Sequence, residues 1–139
     1  MLNKQTKEDY LKSVLILHQK NGQARAVDVA KELGVTKPSV SAAMKSLCEM
    51  KLVFKDEKGG IRLTKAGKKL AEQVVNKHTL IKNILIRIGV SEKTADEEAC
   101  QIEHVIGEET YRCLEEVYER GETPIGAEKQ MNDPERIGT

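Results

Sequence analysis

Apolar positions recur every three or four residues between Lys4 and Lys20, where Tyr10, Leu11, Val14 and Leu15 share one stripe with His18. This spacing predicts a first helix, stopped by Asn21-Gly22. A short stripe from Val27 to Leu33 predicts a second helix closed by Gly34, and Thr36 caps a third from Lys37 to about Met50, with Pro38 in its first turn. The third helix turns Val40, Ala43, Met44 and Leu47 inward. Ala30, four residues before Gly34, allows close helix approach, and Gly34 supplies the left-handed turn; this is the spacing of a helix-turn-helix.

Beyond Met50 the pattern changes. Leu52-Val53-Phe54-Lys55 and Ile61-Arg62-Leu63 flank Asp56-Glu57-Lys58-Gly59-Gly60, which predicts a hairpin in the position of a wing. Thr64 then caps a long helix from Lys65 to about Ile88, with Leu70, Val74, Leu80, Ile81, Ile84 and Leu85 among its apolar positions. Gly89 stops it, Ser91 caps the next helix, and Gly107 precedes a last one from about Glu108 to Arg120. The expected fold is mainly α: a winged helix-turn-helix at 1–73, a helical domain at 74–122, and a mobile tail at 123–139 with no periodicity.

Charge supports two roles. Residues 1–77 carry 16 Lys and Arg against 8 Asp and Glu, a net +8, whereas residues 78–139 carry 7 against 14, a net −7. The basic half suits a polyanion and the acidic half suits cations or protein. With no Trp and one Phe, no aromatic row exists to stack on unpaired bases, so duplex DNA is the expected nucleic acid. No apolar run is long enough to span a bilayer and the N-terminus lacks the apolar segment of a signal peptide, so a cytoplasmic location is expected, with no membrane partner. Three widely spaced cysteines without a Cys-x-x-Cys pair argue against a disulfide framework, and Cys48 and Cys113 read as core or interface residues.

A winged helix-turn-helix places the start of its second motif helix in the major groove. Here that start offers Thr36, Lys37, Pro38, Ser39, Ser41 and Lys45: hydroxyls for phosphate oxygens, apolar atoms for a thymine methyl and an ammonium for the backbone. Arg25 and Arg62 extend this basic face at its flanks, with Lys58 and Lys65. The helix holds no obvious bidentate guanine reader, so apolar contacts and DNA shape are expected to carry much of any sequence preference.

In the acidic half, Asp96-Glu97-Glu98-Ala99-Cys100-Gln101-Ile102-Glu103-His104 puts a thiol, a carboxylate and an imidazole at helical spacings of three and four. All three are metal ligands. On a continuous helix Cys100, Glu103 and His104 are expected to project toward one point.

The order of wing, long helix and this stretch closely resembles the diphtheria-toxin-repressor and manganese-repressor family of metal-dependent transcriptional regulators. Further matches are Glu8-Asp9-Tyr10-Leu11, Lys37-Pro38-Ser39-Val40-Ser41, Leu63-Thr64-Lys65-Ala66-Gly67 and Lys77-His78, so the resemblance covers about residues 5–120. It implies a homodimer, joined through the helical metal-binding domain, that represses transcription from a palindromic operator in double-stranded DNA when iron or manganese is plentiful. It also implies metal ligands at Asp9, Cys100, Glu103 and His104, and a second metal position at His78. Lys12 stands where manganese-type members place a bridging Glu, Lys82 where iron-type members place a second-site Glu, and Asp96 where these place a His. One ion per subunit is therefore expected, because two cations beside ammonium groups need more carboxylate than remains. The mixed Asp9 and Cys100 signature favours Fe2+, then Mn2+, with Zn2+, Co2+ or Ni2+ binding in vitro.

Two other readings compete. An enzyme with Cys100 as nucleophile and His104 as base lacks an oxyanion hole and an orienting group, so no small-molecule substrate is expected. A constitutive winged-helix regulator with a structural zinc or vestigial metal site is the stronger rival.

Overall fold

The computed structural model describes residues 2–121; the expected tail at 123–139 lies outside them. The chain divides into two compact units, Met1–Asn76 and Lys77–Thr139. The first holds α1 (Lys4–Asn21), α2 (Ala26–Leu33), α3 (Lys37–Glu49), β1 (Val53–Lys55), β2 (Ile61–Leu63) and the first half of α4 (Lys65–Arg87). The second holds the remainder of α4, α5 (Glu92–Ile102) and α6 (Glu108–Arg120).

In the first unit Leu11 and Val14 of α1, Val29 of α2, Val40 and Leu47 of α3 and Ile61 of β2 are almost completely buried. Each such aliphatic side chain contributes roughly 1.5–3 kcal/mol on burial, and together they orient the motif helices. Local chemistry sets the helix ends. Asn3 Oδ1 accepts the Thr6 N–H at 2.8 Å to start α1, and Thr36 Oγ1 accepts the Ser39 N–H at 3.2 Å to start α3. Between α2 and α3, Gly34 adopts φ 67°, a left-handed conformation that costs glycine nothing.

The strands pair antiparallel with Val53 opposite Leu63, Phe54 opposite Arg62 and Lys55 opposite Ile61. Val53 and Ile61 are buried, while Phe54 and Arg62 share the exposed face. Asp56 organises the turn: its carboxylate accepts the backbone N–H of Lys58 at 2.9 Å, that of Gly60 at 2.8 Å and Arg62 Nε at 3.0 Å. The Gly60 bond first, then the Arg62 bond, holds this carboxyl below the usual Asp range.

The wing is bolted to α4 through Leu63-Thr64-Lys65-Ala66-Gly67. Thr64 N–H donates to the Leu52 carbonyl at 3.0 Å, its hydroxyl donates to the Lys51 carbonyl at 2.7 Å, and its Oγ1 accepts the Gly67 N–H at 3.1 Å. Gly67 lies so close to the preceding turn that a Cβ there would stand 1.9 Å from the Leu52 carbonyl oxygen. Leu52 thus serves this anchor, and the strand starts at Val53, one residue later than the hydrophobic pattern predicts.

In the second unit Leu80 and Ile81 of α4 and Ala95 and Ala99 of α5 are buried. Arg87 stacks 3.8 Å over the Tyr118 ring and donates to the Tyr118 carbonyl at 2.9 Å, which fastens α6. Two expectations change. The helix carrying Cys100 ends at Ile102 rather than continuing through His104, because its last amides shift to tighter three-residue bonds, Val105 N–H to the Ile102 carbonyl among them. Cys48 and Cys113 are exposed rather than core residues of the single chain, since Cys48 sits beside exposed Glu49 on the outer side of α3 and Cys113 on the outer side of α6.

Candidate metal centre and nucleic-acid face

Within the second unit, α4 supplies His78, α5 supplies Cys100, and Glu103 follows as the residue that caps α5. One ligand atom from each lies within 4.8 Å of the others. His78 Nδ1 stands 3.7 Å from Cys100 Sγ and 3.4 Å from Glu103 Oε1. The Glu103 side chain is completely buried, a costly place for a carboxylate unless cationic or hydrogen-bonding groups face it. A nitrogen, a sulfur and an oxygen converging at this spacing fit a mid-row divalent cation.

The residues expected to meet on one helix face are distributed differently. His104 lies past the end of α5, buried, with Nε2 4.0 Å from Glu103 Oε1. It neighbours Glu103 but is outside the trio, whereas His78, expected at a second metal position, is inside it. Asp9 is on α1 in the first unit, part-buried. Glu97 and Glu98 are exposed. Asp96 and Lys82, noticed in the sequence as departures from the family pattern, form a connected pair. Asp96 Oδ1 lies 2.8 Å from His78 Nε2 and 3.5 Å from Lys82 Nζ. The His78 hydrogen bond is the main cause holding the Asp96 carboxyl below its ordinary range.

On the first unit, Arg25, Thr36, Lys37, Pro38, Ser39, Ser41, Lys45 and Arg62 are all exposed, and those on α3 lie away from its buried residues Val40, Ala43, Met44 and Leu47. Three members, Thr36, Ser39 and Arg62, have side-chain partners within the unit. The Thr36 and Ser39 hydroxyls lie 2.9 Å apart, and Arg62 engages Asp56. Their first task is to shape the helix start and the wing that present the remaining groups.

Residues 2–61 match the family model described as the N-terminal DNA-binding domain of iron-dependent repressors. Residues 64–127 match its metal-binding and dimerisation domain. The chain belongs to the iron-dependent repressor family. Within that family it is 37% identical over 103 residues to the transcriptional regulator MntR of Escherichia coli, an alignment spanning 74% of this chain and 66% of that protein. Among solved structures, IdeR of T. acidophilum superposes with a TM-score of 0.73 and 31% identity, covering 87% of this chain and 55% of that one. The manganese regulator SloR does so at 0.72 and 32%, covering 81% and 53%. The chain thus spans about two thirds of the E. coli relative and about half of the two solved ones. This is a family of transcriptional regulators, not of enzymes.

The exposed groups of α3 fall in the family's DNA-binding match, and His78, Cys100 and Glu103 in its metal-binding match. Sequence reasoning missed the role of Asp96 beside His78. The available signal was a shared spacing: His78 and Lys82 are four apart on one helix, and Asp96 and Cys100 four apart on the next.

Proposed function

We propose that this chain is a metal-responsive transcriptional repressor: a cytoplasmic homodimer that binds a palindromic operator more tightly when a divalent ion occupies the His78, Cys100 and Glu103 site. The observation that carries the reading is the convergence of these three ligand types in a chain that also presents an exposed, basic recognition helix. Asp9 joins the ligand set on the family resemblance, and His104 on that resemblance together with its helical spacing and its place 4.0 Å from Glu103 Oε1. Ferrous iron is the favoured ion and manganese the next, because one thiolate among oxygen and nitrogen donors moves preference away from the hardest cations. One ion per subunit is expected, since Lys82 already places an ammonium beside Asp96.

When bound, the ion supplies positive charge that neutralises the Glu103 carboxylate and the Cys100 thiolate. The protein's part is to hold these groups together and to favour the DNA-competent arrangement, by as much as the ion's affinity differs between the two arrangements. Thr36, Lys37, Pro38, Ser39, Ser41 and Lys45 contact the groove and its phosphates, with Arg25 and Arg62 at the flanks. Exposed Ile86, Ile88 and Val105 in the second unit suit a subunit interface. Anaerobic calorimetric titration with Fe2+ and Mn2+ tests the site: the expected result is one ion per subunit, lost in Cys100→Ala. Binding that survives this substitution unchanged would place the ion elsewhere.

A further inference from the structure

The two nitrogens of His78 face different partners. Nδ1 looks toward Cys100 Sγ at 3.7 Å and Glu103 Oε1 at 3.4 Å, while Nε2 is 2.8 Å from Asp96 Oδ1. A neutral imidazole carries one N–H, and the nitrogen that holds it cannot ligate a metal. Asp96 Oδ1 lies 2.8 Å from Nε2, closer than Glu103 Oε1 lies to Nδ1 at 3.4 Å, so the shorter pairing assigns the N–H to Nε2 and the lone pair to Nδ1, the nitrogen that faces the other two ligands.

Asp96 is itself held. The oxygen that meets His78 also lies 3.5 Å from Lys82 Nζ, which in turn stands 3.9 Å from Glu92 Oε1. The arrangement follows from helix periodicity: His78 and Lys82 project from successive turns of α4, and Glu92, Asp96 and Cys100 from successive turns of α5. Two facing ladders place imidazole, carboxylate and ammonium in a row that ends at the ligand cluster. The Lys82 ammonium attracts the Asp96 carboxylate from the same helix that carries His78.

We propose that Asp96 is a positioning residue for the metal centre, fixing His78 with its hydrogen on Nε2 and Nδ1 as ligand, and that Lys82 clamps Asp96 in that role. This rests on the metal site proposed above. Carboxylate partners of metal-bound histidines orient the ring and raise its basicity, and their loss typically weakens metal binding about 10–100-fold.

The test uses the full chain and Co2+ alone as probe. Asp96→Ala is expected to bind Co2+ about 10–100-fold more weakly. Asp96→Asn, whose amide oxygen can still accept from Nε2, should recover part of that loss, and Lys82→Met should weaken binding less than Asp96→Ala. Nitrogen-15 NMR of the imidazoles reads a quantity that a merely structural role leaves unmoved. Metal-free wild type should hold the His78 proton on Nε2, and Asp96→Ala should mix the two tautomers. Equal Co2+ affinity in wild type and Asp96→Ala, or a proton on Nδ1 in the metal-free wild type, would overturn the inference. A wild-type chain that binds no Co2+ but keeps its proton on Nε2 would instead sink the metal site and leave the His78 and Asp96 pairing standing.

Discussion

At the residue scale the ligand cluster and the wing anchor make opposite demands. Cys100 is replaceable for folding, since it is only partly buried, but its sulfur is one of three converging donors. Cys100→Ala is therefore expected to lower metal affinity by more than about 100-fold, above the range for outer partners, while a metal-free thermal melt stays near wild type. Gly67 is the reverse case. A Cβ 1.9 Å from a backbone oxygen forces the turn and α4 apart, so Gly67→Ala should cost about 3 kcal/mol in urea denaturation. The candidate ligands Cys100, Glu103 and His104 were legible in the sequence as residue types. The convergence of Cys100 with Glu103 was legible too, but the displacement of His104 was not, because the end of α5 at Ile102 carries no Gly or Pro to announce it, and the entry of His78 depends on contact between residues 22 apart on two helices.

At the scale of elements, the helix-turn-helix was readable nearly residue by residue. Thr36, Pro38 and Gly34 each act through local backbone chemistry that spacing alone reveals. The wing was readable as a hairpin but not as an Asp56-centred turn, because three hydrogen bonds to one carboxylate depend on how the loop closes. Asp56→Ala should speed amide exchange at Lys58 and Gly60 in hydrogen-exchange NMR. The pH dependence follows from the lowered carboxyl. Because the folded state holds Asp56 below its unfolded value, its support is complete above the ordinary Asp range, about 3.9, and fades as pH falls through the lower folded value. Wing protection is thus expected to weaken only in acid and to be flat near neutrality. In α3, Lys45→Ala should reduce the slope of log affinity for DNA against log salt by about 0.9, the release of roughly one counterion. An unchanged slope would remove Lys45 from the phosphate contacts.

For the whole molecule, the sequence charge divides into +8 over residues 1–77, which suits a polyanion, and −7 over residues 78–139, which suits cations. The family matches divide the chain earlier, between residues 61 and 64, so the metal-binding match begins inside the basic stretch. In the proposed function, what makes the two parts one device is the dependence of DNA affinity on the ligand cluster, a coupling typically worth about 1–3 kcal/mol. The most direct test is affinity for operator DNA, selected from a random duplex library and titrated anaerobically with the chain in chelator, in Fe2+ and in Mn2+. Binding is expected to be roughly 5–150-fold tighter with at least one of the two ions, a gain that Cys100→Ala abolishes without loss of low-salt nonspecific binding. Equal affinity in chelator and in both ions would contradict this expectation and leave a constitutive winged-helix regulator.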